Sequence, residues 1–221
     1  MTVCFTSYAV LVGLATVAKA LSPDFAAYIE GLFFLAVLGT MWLVYTQVLN
    51  ERCGQSSAGT VFTAMLPWIF MLGGSMVALK VFPGWIQPFS NTFGYLLVNI
   101  PIFNATDKLI AILAEGHQTS VELIQNNPRL MLNEFSSSGF DASMEKMQAE
   151  GLVRPGDHSD FRQIIAGKDA VAAGIWYLLV GSVAITTAFN VLMNFTCQKV
   201  EMKDAPMEAP VEETTEYVIE D

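Results

Sequence analysis

Ionisable side chains are so sparse in the apolar parts of this chain that each one there needs a physical reason. Lys19, Glu30 and Lys80 lie in or beside long uncharged runs. Charge buried in a bilayer is costly and commonly marks a functional path. A proton or ion path would show several such groups along the helix faces, and the middles of these runs carry none. Lys19 and Glu30 flank the turn Ser22-Pro23-Asp24, so they are expected to pair at the membrane surface. Lys80 is expected to snorkel to an interface.

Metal and nucleophile chemistry is poorly served. His117 and His158 are the two histidines, in Glu115-x-His117 and Asp157-His158-x-Asp160. These offer oxygen and nitrogen donors, but neither has a second cluster at ligand spacing, and no metal site is expected. Cys4, Cys53 and Cys197 are far apart and form no Cys-x-x-Cys pair. They signal neither zinc nor a disulfide framework. A Cys53–Cys197 bridge stays open if those two ends share one side of a membrane. Nucleophile elbows, Walker loops, dinucleotide glycine patterns and HExxH are missing. No catalytic residue, no cofactor and no enzymatic activity are therefore expected.

Hydrophobic residues make up 53% of the 221 positions and charged residues only 14%, against about 25% charged in an average soluble domain. The net charge of −10 is mostly a property of the end of the chain. Residues 201–221 hold eight acidic residues against Lys203, leaving −3 for everything before them. Without a basic patch, direct nucleic-acid binding is not expected.

Four stretches are long enough to cross roughly 30 Å of hydrocarbon at about 1.5 Å per residue. Residues 3–21 have no basic residue before Lys19, which argues for a retained helix over a cleaved signal peptide. Residues 25–49 follow the turn, with Ser22 as a cap, Pro23 at a first helical position, and Tyr28, Trp42 and Tyr45 expected at interfaces. Residues 60–82 contain Pro67, which predicts a kink, and Gly73-Gly74, a second soft point. Residues 170–196, inside a 169–197 segment, are uncharged. Gly174, Gly181 and Ala188 recur there every seven residues, a small-residue stripe that would let another helix approach closely.

Between the third and fourth spans lies the only water-like region. Residues 83–103 are aromatic but broken by Pro83, Gly84, Pro88, Gly94 and Pro101, which predicts an interfacial segment with a short helix over 91–99. Residues 104–168 predict a small helical domain, with helices in 105–126, after Asn127-Pro128, from Asp141 or Ser143 to Gly151, and from Ser159 or Asp160 toward the membrane. Ser136-Ser137-Ser138-Gly139 is a linker. Residues 198–221 form an acidic tail expected to be disordered, in which Tyr217-Val218-Ile219 could add to a partner as a strand. The fold class is therefore all-α: a four-span membrane protein with a small helical extramembrane domain at 83–168.

Four spans put both ends of this chain on one side and the domain on the other. Lys19, Lys80, Arg162 and Lys168 on the domain side, against Arg52, Lys199 and Lys203, lean toward a cytosolic domain. Asn104-Ala105-Thr106 is a sequon whose glycosylation would reverse that lean.

The most distinctive string is Phe82-Pro83-Gly84-Trp85, followed by Pro88-Phe89-Ser90-Asn91-Thr92-Phe93-Gly94-Tyr95. Its aromatic density and forced bends suit a rigid wedge at a protein interface, with Phe82, Trp85, Pro88, Phe89, Phe93 and Tyr95 as contact residues. The string, with its apolar helix running into Pro-Gly-Trp and Pro-Phe-Ser-Asn, resembles the multispan membrane proteins of large double-stranded DNA viruses of algae and protists. The resemblance covers about 15 residues, 81–95, and more loosely the four-span layout. It implies a virion protein of the inner, endoplasmic-reticulum-derived membrane, lying under an icosahedral capsid and contacting minor capsid or other membrane proteins. The expected function is anchoring a protein layer on a bilayer, with oligomerisation open. The alternative is a small channel or transporter with Glu30 and Lys80 near the path.

Overall fold

The computed structural model describes residues 2–54, 57–98, 104–113, 122–124, 126–156 and 158–197. In chain order the helices are α1 (Thr2–Leu21), α2 (Ala26–Cys53), α3 (Ala58–Val81), a composite α4 (83–98), α5 (Ala105–Ile112), α6 (Pro128–Glu134), α7 (Phe140–Ala149) and α8 (Ser159–Asn194). Among the described residues there is no strand, only one antiparallel bridge between Leu113 and Val153. Helices α1, α2, α3 and α8 are long and apolar enough to cross a membrane. The acidic tail and Glu115-x-His117 lie outside the described residues.

Each of the first two spans buries a single narrow stripe. In α1 the buried residues are Cys4, Tyr8 and Val12; in α2 they are Phe33, Val37, Met41, Tyr45 and Leu49. A spacing of four keeps one row of side chains on one face of the helix. The opposite faces leave Leu14, Val17, Leu32, Leu35 and Leu43 outward, which in lipid carries no hydrophobic penalty. The third stripe comes from α3, with Val61, Ala64, Trp68 and Leu72, and the fourth from α8, with Tyr177, Gly181, Ala184 and Ala188.

Pro67 does not break α3 into two. The chain passes into a wider π-helical stretch, Trp68–Gly73, and resumes as an α-helix at Gly74. Proline has no N–H for the carbonyl four residues back, and one loosened turn absorbs the mismatch. That turn points Trp68 into the bundle. Its indole nitrogen donates to the Tyr45 hydroxyl at 2.9 Å, and its ring centroid lies 5.0 Å from that of Tyr8. Tyr45, expected at an interface, is therefore core, whereas Tyr28 and Trp42 are exposed.

Other local expectations change in the same direction. Ser22 makes no capping bond; Pro23 opens a 3-10 turn, Pro23–Phe25, and α2 begins only at Ala26. Pro101 of the 83–103 stretch lies outside the described residues, and the described part, 83–98, is more helical than its prolines suggest. It runs as a 3-10 turn (Pro83–Ile86), an α turn (Gln87–Phe89), a π turn (Ser90–Gly94) and an α turn (Tyr95–Val98). Pro83 and Pro88 each fall at the first or second position of a short piece, where the missing N–H costs nothing. Residues 141, 143, 159 and 160 do not cap: α7 starts at Phe140 after Gly139, and α8 starts at Ser159 with His158 before it and no side-chain cap bond.

The domain has its own apolar core. Leu109, Leu132, Phe135, Phe140, Phe161 and Ile165 pack together, with the Phe135 and Phe161 rings edge to face at 5.0 Å. Phe161 and Ile165 belong to α8, which then runs on without interruption into the spanning bundle. The expected boundary at 168/169 thus falls inside a 36-residue helix that starts at Ser159.

Candidate functional site

Glu30 enters the bundle one turn into α2 and contacts a residue from each of the other three spans. Lys19 of α1 approaches its Oε1 at 2.6 Å, Lys80 of α3 its Oε2 at 3.5 Å, and the Tyr177 hydroxyl of α8 donates to Oε1 at 3.3 Å. Lys19 and Glu30 keep only 13% and 16% of their side-chain surface, while Lys80 keeps 63%. The pair expected at the membrane surface is therefore the hub of a mostly buried four-helix node. Lys80 does snorkel, and its ammonium comes back to the same carboxylate. The Tyr177 ring also stacks on Phe33 at 5.6 Å and lies 5.9 Å under the Lys19 ammonium. Two lysines thus share one carboxylate.

A second polar node lies directly beyond it. Asp169 of α8 accepts from Ser90 Oγ at 2.6 Å, from the Ser137 backbone N–H at 2.7 Å and from Ser137 Oγ at 2.8 Å. Its neighbour Lys168 is wholly buried and donates to the carbonyls of Leu132 and Phe135 at 2.8 and 2.9 Å. Those carbonyls close α6, so the buried ammonium serves as the C-terminal cap of that helix. Lys168 is thus not an interfacial basic residue, and Ser136–Gly139 is more than a linker. Gly94 of α4 packs onto the Lys168 backbone so closely that a Cβ there would overlap its carbonyl. A cavity of about 260 Å³ between the two nodes is bordered by Lys19, Glu30, Lys80, Ser137, Asp169 and Tyr177.

Of the six expected contact residues, Phe82, Trp85, Pro88 and Phe93 are exposed, with Phe82 stacked on Trp85 at 5.1 Å. Phe89 turns inward, edge-on to Trp176 at 5.8 Å, and Tyr95 carries the Arg129 guanidinium over its ring at 5.3 Å. The outward set is therefore narrower than the string.

Gly174 and Gly181 both face α1. A Cβ on Gly174 would run into Thr16, and one on Gly181 into the Tyr8 ring. The Tyr8 hydroxyl meanwhile donates to the Tyr177 carbonyl at 2.5 Å. Ala188 is fully buried on the same helix. Gly167, opposite Ala20, extends this row by one heptad into the part of α8 assigned to the domain. Beside the row, the small side chains leave a lipid-facing groove of about 640 Å³ lined by Gly13, Thr16, Val17, Val171 and Leu178.

At the far end of the bundle Cys53 and Cys197 form a disulfide, their Cα atoms 5.4 Å apart. Arg52 beside it donates to the Leu192 and Met193 carbonyls at 2.6 and 2.9 Å, closing the C-terminus of α8. Asn104, the sequon asparagine, is exposed and adopts a left-handed backbone with φ 46°. Among the described residues no group of histidine, cysteine and carboxylate side chains gathers at metal-binding distance.

Fold and nodes together define an all-α architecture with four helices long and apolar enough to span a membrane, in which Lys19, Glu30, Lys80, Arg52, Lys168 and Asp169 join elements to one another. No protein family, curated protein or solved structure matches this chain.

Proposed function

We propose that this protein is a structural membrane anchor that holds a protein layer, a viral capsid shell in the reading its 81–95 string suggests, at a fixed height and angle above a bilayer. The observation that carries this is the rigid junction between domain and bundle. One helix, α8, contributes Phe161 and Ile165 to the domain core and Tyr177 and Ala184 to the bundle core. Lys168 and Asp169, between those two halves, tie down α6, the 136–139 turn and α4. A tether would need none of this; a mount that transmits position does. The exposed Phe82, Trp85 and Phe93 beside the junction supply apolar contact area of the kind interface cores use.

The transport alternative has less support. Away from the Glu30 node, the described bundle core is filled by residues such as Val37, Met41, Trp68 and Leu72, with no acidic, basic or histidine side chain among them. The test is photo-crosslinking from position 85 in native membranes, with position 35 of α2 as a lipid-facing control. Crosslinks from 85 to one repeated protein of the adjoining layer support the anchor; lipid adducts alone from both positions overturn it.

A further inference from the structure

We infer that the end of the bundle bearing Cys53 and Cys197 faces an oxidising compartment, so that the 83–168 domain, and the protein layer it holds, lie on the cytosolic side. This deepens the anchor reading by assigning its partner to a compartment, and it rests on the four helices crossing a membrane.

Four observations converge. The disulfide joins the last residue of α2 to the segment just after α8, at the end where both helices leave the bundle. Disulfides persist where the surroundings are oxidising and are rare in reducing cytosol. The pairing does not depend on a chance encounter. Arg52 ties α2 to the Leu192 and Met193 carbonyls near the end of α8 through bonds of its own, a second link between the same two helix ends. The third cysteine, Cys4, lies in the first turn of α1, at that same end, but it is wholly buried and offers no competing partner. The domain side holds no cysteine at all. A polypeptide segment in the cytosol has no use for a bridge and loses nothing by lacking one.

Charge points the same way. Eight of the eleven basic residues belong to the domain side: Lys19 and Lys80 at span ends, and six more between Lys108 and Lys168. The disulfide end has Arg52, whose guanidinium is engaged, and then residues 198–221, whose net charge is −6 and which hold the other two lysines. Excess Lys and Arg near span ends stays on the cytosolic side during insertion. Buried Lys168 weakens the simple count of flanking residues, but Lys19 and Lys80 still flank two spans on the domain side.

The orientation also assigns the sequon. Exposed Asn104 then lies in the cytosol, away from glycosyl transfer, although its tripeptide is complete.

The test uses the full chain inserted into microsomes or expressed in eukaryotic cells, with sodium carbonate extraction as a check on membrane integration. Glu213→Asn places an acceptor before Thr214-Thr215 in the tail, and Asp141→Asn places one before Ala142-Ser143 in the exposed start of α7. All three chains carry Asn194→Gln, which removes the second sequon, Asn194-Phe195-Thr196, at the disulfide end; the inference expects a glycosidase-sensitive gel shift for Glu213→Asn and none for the parent chain or Asp141→Asn. In acid-quenched, denatured samples, maleimide–polyethylene glycol should label one thiol per chain before reduction and three after. A glycan on Asn104 or on the Asp141→Asn chain overturns the orientation, as does labelling of three thiols before reduction. Release of the unaltered chain by carbonate instead overturns the membrane-spanning reading beneath it.

Discussion

Glu30 is the side chain on which most of the membrane-edge chemistry converges, and its substitution separates burial from charge. Glu30→Gln keeps the size and one acceptor but loses the attraction of two ammonium groups. Hydrogen bonds to charged partners are worth about 1.5–3 kcal/mol, so thermal stability in detergent should fall by that order. Cys4, free and buried, is a built-in reporter: reaction with a thiol-sensitive dye during heating reads the loss. Lys80→Ala, at an exposed ammonium 3.5 Å away, should cost at most about 1 kcal/mol by the same measurement. At Gly181 the argument is steric. Gly181→Ala would press a methyl into a fully buried Tyr8 ring held by its own hydroxyl bond, for an overpacking cost of about 1–3 kcal/mol. Gly13→Ala meets open space and should be neutral or slightly stabilising. The sequence showed that Lys19, Glu30 and Lys80 were exceptional, because charge in apolar runs is rare. It did not show that one carboxylate serves both lysines, since three helices had to be placed in space before their ends could meet.

Among the elements, α8 and α4 show most clearly what could and could not be read in advance. The four apolar runs were legible because lipid asks only for length and the absence of charge, and their ends agree with the helices to within a few residues, except that the fourth helix starts at Ser159, well before the expected 170. The expected break at 168/169 was not, because Gly167-Lys168-Asp169 looks like the solvated foot of a span. The structure buries that foot under α4, α6 and the 136–139 turn. A signal was present: an adjacent cation and anion with glycine before and alanine after, a composition that suits close packing as well as solvent. The prolines of 83–98 were read as breaks because their rule is local, whereas both fall where short helical pieces begin and nothing is lost. Lys168→Met should leave the Leu132 and Phe135 carbonyls without their donor. The cost is about 1–3 kcal/mol for each buried acceptor left unpaired, appearing as faster backbone hydrogen exchange and protease cleavage around α6. The spans should be unaffected. If the loss appears instead as unfolding of the whole bundle, the two cores are more tightly coupled than their separate apolar clusters indicate.

For the whole molecule, the disulfide and the Glu30 node grip opposite ends of the same bundle. The bridge joins residues 144 apart in sequence, a loop for which chain-entropy arguments give a stabilisation of up to about 5 kcal/mol. Cys53→Ser with Cys197→Ser should therefore lower the unfolding temperature read by circular dichroism and make it insensitive to reductant, while leaving the crosslinks formed from position 85 unchanged. A change in both would mean that the lower clamp also sets the posture of the domain. Anchoring itself was readable only as an expectation, from aromatic density at 82–95. Which of those rings face outward depended on Trp176 and Arg129, residues 87 and 34 positions away from their partners.

The unbroken α8 has a mechanical corollary. Thirty-six residues at about 1.5 Å each make a rod of roughly 54 Å, against about 30 Å of hydrocarbon. What remains projects above the lipid as a stiff arm. A thinner or thicker bilayer changes the tilt of a spanning helix, and a rod cannot tilt at one end alone. The exposed aromatic rings would swing with it, so their height and angle above the bilayer become quantities that the lipid composition can set.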